Sequence, residues 1–215
     1  MEDGPMRAAD WYFDFLSPFS YLQLVQFDRL PRDVEVTYRP VLFAGLLGHW
    51  GHKGPAEIPA KRVHTYRWCH WYAARHGIPF RMPPAHPFNP LRPLRLAVAH
   101  DGEARLVRAV FDAVWAEGRD PSRDEEWQAL TRRLGIADAD AMIAAAEVKE
   151  ALRKGTQEAA ERGVFGVPTF AFGDELFWGL DSTDLVLDYL NDPTLLGTGE
   201  YARISDLPIA QARRL

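Results

Sequence analysis

Along this chain the hydrophobic period changes from that of a strand to that of a helix and back again. Trp11-Tyr12-Phe13-Asp14-Phe15-Leu16 is short, aromatic and nearly continuous, the pattern of a strand covered on both faces. Ser17-Pro18 follows at once. Serine is a preferred N-cap and proline a preferred first helical residue, so a helix is predicted here, with Tyr21, Leu22, Leu24, Val25 and Phe27 on its apolar face. Pro31 closes it, and Val34-Glu35-Val36-Thr37-Tyr38 alternates as a second strand. In one sheet, strand–helix–strand implies a right-handed parallel crossover. Residues 39–61 are punctuated by Pro40, Gly45, Gly48, Gly51, Gly54, Pro55 and Pro59 and read as one long loop, of a length more often ligand-covering than idle.

Almost pure helical periodicity comes next. Helices are predicted over 60–76 with Gly77 as the stop, over 89–100, over 104–116, from a Ser122-Arg123-Asp124-Glu125 capping box to Gly135, over 138–146, and onward to Arg162 with Gly163 just past its end. Strand character then returns at 169–172 and 176–178, on either side of a Gly173-Asp174 hairpin connection. A closing helix, capped by Asp181 or Ser182, runs to Leu190, and from Asn191 the chain is polar and irregular. A β-α-β unit, a helical block and a β-β-α unit make an α/β protein: a thioredoxin-like domain with an inserted all-helical domain. On this reading 10–56 and 164–192 form the discontinuous thioredoxin-like domain, 57–163 the helical insertion and 193–215 a C-terminal tail.

Composition narrows the picture. A chain of 215 residues, 47% hydrophobic, buries enough surface to fold without a disulfide or a metal. The net charge of −5 argues against nucleic acid or an anionic membrane as partner. The single cysteine, Cys69, excludes an internal disulfide and suits a reducing compartment. No apolar run approaches the ~20 residues of a membrane span, and residues 1–9 lack a signal-peptide core, so a soluble cytoplasmic protein is expected.

The chemistry centres on two stretches. Disulfide-forming thioredoxin-like enzymes carry Cys-X-X-Cys at the first helix N-terminus, whereas this chain has Ser17-Pro18-Phe19-Ser20, which rules out dithiol exchange there. What remains is a helix start with a hydroxyl, suited to another molecule's thiolate or a small anion; Ser17 is equally an ordinary N-cap. The second stretch is Gly163-Val164-Phe165-Gly166-Val167-Pro168-Thr169-Phe170. Pro168 must open a strand or lie at its edge, and a cis Val167–Pro168 bond, expected once Ser17-Pro18 and the strand order are considered together, turns the Val167 backbone outward to pair with an extended ligand. Lys61 reads as a solvated lysine that could meet a carboxylate, Asn89 as a helix cap offering an amide, and Asp181 as a cap within reach of a ligand ammonium. No metal-binding spacing, P-loop, Gly-x-Ser-x-Gly or Gly-x-Gly-x-x-Gly occurs, and Cys69 reads as a core residue.

Residues 12–22, Val164-Phe165-Gly166-Val167-Pro168-Thr169-Phe170, Phe177-Trp178-Gly179-Leu180-Asp181 and Ile58-Pro59-Ala60-Lys61 together resemble 2-hydroxychromene-2-carboxylate isomerases and their relatives, the kappa-class glutathione transferases. The resemblance spans about residues 10–190. It implies a homodimer that binds glutathione and acts on a small aromatic-derived substrate. Ser17 would stabilise the glutathione thiolate, the Val167 backbone would pair with the cysteinyl unit before Pro168, Lys61 and Asn89 would line the site, and Leu180 and Asp181 would hold the γ-glutamyl end. His52 stands where the family has asparagine. Leu180 stands where a polar residue is common and leaves only backbone groups to bind. Three readings stay open: a glutathione-dependent isomerase, a kappa-like glutathione transferase, and a non-catalytic binder of a thiol or small anion.

Overall fold

The computed structural model describes residues 6–211. Within them β1 (Arg7–Phe13), α1 (Pro18–Leu24) and β2 (Val34–Pro40) form the crossover that the sequence pattern predicts, β1 and β2 running parallel with Arg7 opposite Val34 and Phe13 opposite Pro40. β1 begins and ends earlier than its apolar run. Asp10 and Ala8 are carried into the ladder by β2, and a turn in which the Ser17 N–H donates to the Asp14 carbonyl ends the strand. Then come α2 (Phe43–Trp50), α3 (Pro59–Arg75), α4 (Leu91–Ala99), α5 (Ala104–Phe111), α6 (Asp124–Leu134), α7 (Ala139–Ala144) and α8 (Ala146–Glu161). The hairpin β3 (Thr169–Phe172) and β4 (Glu175–Trp178), then α9 (Thr183–Asn191) and α10 (Gly199–Ser205), complete the order. The sheet order is β2-β1-β3-β4, with β3 antiparallel to both of its neighbours. This is the α/β thioredoxin-like architecture with a helical insertion.

Strand alternation divides the core in two. Trp11, Phe13, Phe170 and Phe172 face the larger core, where Trp11 stacks on Phe13 at 4.8 Å and meets Phe27 and Phe111 at 5.0 and 6.0 Å. Tyr12 and Ala171 turn to the other face, with Leu46 of α2 and Ala159 and Ala160 of α8. Each fully buried aromatic ring of this kind stabilises by roughly 1.5–3 kcal/mol. The insertion is tied to the turn after β1 and to α1 by polar contacts: the Trp115 indole N–H donates to the Phe15 carbonyl at 2.9 Å, and the Tyr21 hydroxyl to the Pro79 carbonyl at 2.7 Å.

Several local expectations are corrected. The long loop at 39–61 contains α2 and a 3-10 turn, Pro55–Glu57. Gly45 sits within α2 because a Cβ there would lie 2.9 Å from the Thr156 methyl, so the glycine permits close helix packing and breaks nothing. Gly51, at φ 64°, is the residue that ends the helix. Ser122 does not cap α6: its hydroxyl and N–H both go to Asp120, and Arg123 takes the N-cap position. The 104–116 helix changes at Asp112 into a π turn through Ala116. Neither Asp181 nor Ser182 caps α9 through its side chain; Leu180–Ser182 is a 3-10 turn and the Ser182 hydroxyl donates to the Trp178 carbonyl. Part of the expected irregular tail is helical, a half-buried 3-10 turn and an exposed α10, and residues 212–215 of it lie outside the described residues. Among the described residues no helix is long and apolar enough to cross a membrane.

Candidate active site

Ser17 is the buried N-cap of α1, its Oγ accepting from the Ser20 N–H at 3.2 Å. The same oxygen lies 3.4 Å from the Val167 carbonyl oxygen. That is long for O–H···O, so the hydroxyl proton is only weakly committed within the protein. The Val167–Pro168 peptide bond is cis, as expected, and the Val167 N–H has no hydrogen-bond partner among the described residues. The Ser17 hydroxyl thus lies beside the residue whose backbone N–H is unpaired, at the junction of α1 and β3.

Two groups that the sequence reading did not select hold this junction in place. Asp14 is fully buried at the end of β1, one carboxylate oxygen accepting from the Leu16 N–H at 3.0 Å and the other from the Phe43 N–H at 2.9 Å. It thereby ties the turn into Ser17 to the first residue of α2. Burial pushes its acid up to about 7, against the opposite pull of the two N–H donors. An acid inside an unbroken aromatic run was the available signal, because an aspartate is almost never fully buried without a structural demand. Gln23, on the buried side of α1, accepts from the Trp11 indole N–H at 2.8 Å and donates to the Gly179 carbonyl at 2.9 Å. With the Gly179 N–H donating to the Pro168 carbonyl, this fixes the Leu180–Asp181 segment beside the Val167–Pro168 loop.

From the insertion, the His86 Nε2 lies 2.8 Å from the Leu16 carbonyl, so that nitrogen carries the proton and Nδ1 accepts from the Tyr66 hydroxyl at 2.7 Å. Burial holds this imidazole below its ordinary range, in its neutral form. Its peptide bond to Pro87 is also cis, which the sequence reading did not foresee. Three exposed aromatic residues flank the Val167 loop: Trp50, which donates to the Val164 carbonyl at 3.0 Å, and Phe165 and Trp178, whose rings lie 5.0 Å apart.

Of the candidate residues, the structure brings Ser17, Val167 and Pro168 into one group and links Leu180 and Asp181 to it through Gln23 and Gly179. Leu180 is buried and Asp181 exposed. Lys61 is exposed in the first turn of α3, and Asn89 is exposed two residues before α4, its Oδ1 accepting from the Leu91 N–H at 3.0 Å. No hydrogen bond or ion pair joins either to the Ser17 group among the described residues. Cys69 is fully buried and its thiol is pushed up to about 12, leaving it a core residue.

Residues 9–191 match the family model of the DSBA-like thioredoxin domain. A 2-hydroxychromene-2-carboxylate isomerase of Sphingobium xenophagum is 31% identical over 195 residues, covering 86% of this chain and 99% of the relative. Glutathione S-transferase kappa 2 of Caenorhabditis elegans is 27% identical, covering 87% of this chain and 93% of its own. A solved 2-hydroxychromene-2-carboxylate isomerase structure superposes with a TM-score of 0.77 at 26% identity, covering 88% of this chain and 97% of that one.

Proposed function

The chain belongs to the DSBA-like thioredoxin domain family and, within it, to the group of 2-hydroxychromene-2-carboxylate isomerases, and from that premise we propose that it is a glutathione-dependent isomerase of this type. The observation that carries the reading is the pairing of a weakly committed Ser17 hydroxyl with the unpaired Val167 N–H. One donates to a thiolate, and the other pairs with the backbone of an extended peptide, so the residues present fit a cysteine-containing tripeptide. When bound, glutathione supplies a thiolate that adds reversibly to the substrate's conjugated system, making a double bond single so that it can rotate.

The chain's own groups then have distinct tasks. Ser17 donates its hydroxyl proton as a hydrogen bond to the sulfur, lowering the cost of the ionised form. Val167 and Pro168 orient the peptide. The exposed Asp181 carboxylate takes the α-ammonium of the γ-glutamyl end, with the Leu180 backbone beside it. Lys61 and Asn89 receive the polar ends of the ligands. Trp50, Phe165 and Trp178 offer flat apolar faces to an aromatic-derived substrate. The same reading makes the protein a cytoplasmic homodimer, a state that sedimentation velocity at micromolar concentration measures directly.

The test is absorbance of 2-hydroxychromene-2-carboxylate with and without glutathione. A glutathione-dependent spectral change is expected, and Ser17→Ala should lower kcat/KM at least about 100-fold while costing about 1 kcal/mol of stability as a lost cap. Turnover that ignores glutathione, or an alanine variant of full activity, overturns the proposal.

A further inference from the structure

A concavity lies apart from the Ser17 group. Between α2, α4 and α8 is a cleft of about 350 Å³. Arg95, Lys149 and His49 reach it from three helices, over an apolar floor of Leu42, Leu91 and Leu152. α2 forms the wall that separates it from the candidate active site. Leu42, Gly45 and His49, at helical spacing, line the cleft, while the Phe43 N–H holds Asp14 and the Trp50 indole holds Val164 on the Ser17 side. Ser17, Val167 and Pro168 contribute nothing to its lining.

The charge of the cleft is one-sided. No aspartate or glutamate lines it among the described residues. Arg153 is occupied, bidentate to Glu150 at 2.9 and 2.6 Å and bonded to Gln157. The Thr156 hydroxyl is likewise committed, accepting from the Leu42 N–H and donating to the Leu152 carbonyl. The side chains of Arg95 and Lys149 form no ion pair or hydrogen bond among the described residues, and the Arg95 Nε–H is buried with no acceptor. A buried guanidinium donor without a partner is rare, because leaving it unmade costs its full desolvation.

We propose that this cleft binds an organic carboxylate with an apolar body, at a site separate from the Ser17 group. The carboxylate accepts from the Arg95 guanidinium and the Lys149 ammonium, and the body lies on Leu42, Leu91 and Leu152. Two uncommitted cations suit one carboxylate, and the leucine floor selects against a small inorganic anion, which would leave it wet.

The test is calorimetry with benzoate as the probe, benzamide as its neutral counterpart and inorganic phosphate as an anion without an apolar body. The full chain should bind benzoate, and bind benzamide and phosphate at least about tenfold more weakly. Arg95→Gln should weaken benzoate at least about tenfold. Lys149→Gln, at an exposed side chain, should weaken it several-fold and keeps the test decisive if the Arg95 variant folds poorly. Ser17→Ala and saturating glutathione should each leave benzoate affinity within about twofold, which separates this site from the candidate active site. No heat with benzoate up to about 10 mM, equal affinity for phosphate, an unchanged affinity in Lys149→Gln and in any folded Arg95→Gln, or competition by glutathione overturns the proposal.

Discussion

Asp14→Asn isolates the electrostatic cost of the group that holds Ser17 in place. In the folded chain the Asp14 acid titrates near 7, because burial outweighs the two N–H donors, whereas in the unfolded chain it titrates near the usual 3.9. The folded state therefore holds more protons across the window from about pH 4 to pH 7, and stability must fall as pH rises through it, levelling above 7. At 1.36 kcal/mol per pH unit the loss is about 4 kcal/mol in all, and about 3 kcal/mol of it falls between pH 5 and pH 8. Asparagine cannot ionise, but its single carbonyl oxygen accepts from only one of the Leu16 and Phe43 N–H groups, at a pH-independent cost of about 1–3 kcal/mol. Relative to wild type the variant should thus gain about 3 kcal/mol on going from pH 5 to pH 8. His86 acts in the opposite sense, since a buried neutral imidazole loses stability as pH falls below about 6.5, but it is common to both proteins and cancels in the difference. Urea unfolding at pH 5, 6, 7 and 8, followed by tryptophan fluorescence, gives that difference directly. A constant offset, flat to within about 0.5 kcal/mol, would show that Asp14 is ionised throughout and would refute the reasoning.

Gln23→Leu keeps the volume but strands the Trp11 indole N–H and the Gly179 carbonyl, and should cost about 2–4 kcal/mol in urea unfolding and loosen the Leu180–Asp181 segment; a loss under about 1 kcal/mol would mean that both groups find other partners. Gly166→Ala puts a Cβ against the Trp178 indole nitrogen, so it should cost about 1–3 kcal/mol by forcing the ring aside, with a shifted tryptophan emission; unchanged stability and emission would show that the ring is not packed there.

Much of the fold is legible in the chain. Period-2 and period-3.6 runs depend on which face is covered, so Trp11–Phe13, Val34–Tyr38 and Thr169–Phe172 declare strands, and Val107, Val110 and Phe111 declare a helix. Ser17-Pro18 and Val167-Pro168 are equally local, because a cap and an X–Pro junction constrain the backbone by their own sterics. Glycine was the weakest guide. Gly45 and Gly48 look like breaks but lie inside α2, since what matters at Gly45 is the nearness of Thr156 from a helix more than a hundred residues away in sequence. Ser122 misled for a related reason: its hydroxyl and N–H both donate to the Asp120 carboxylate, in a turn that leaves Arg123 at the N-cap.

The sequence by itself determined the order of the strands and of the helices other than α2 and α10, and the two local motifs, Ser17-Pro18 and Val167-Pro168, that meet in the folded chain. Only the tertiary structure decided that Asp14 clamps both Leu16 and Phe43, that Gln23 fastens α1 to the loop beyond β4, and that Arg95, its Nε–H unpaired, lines the same cleft as Lys149. Periodicity reports how each residue relates to its own element. Burial of charge, and the partner of each polar atom, depend on elements far apart in the chain that meet only when the sheet and its helices close together.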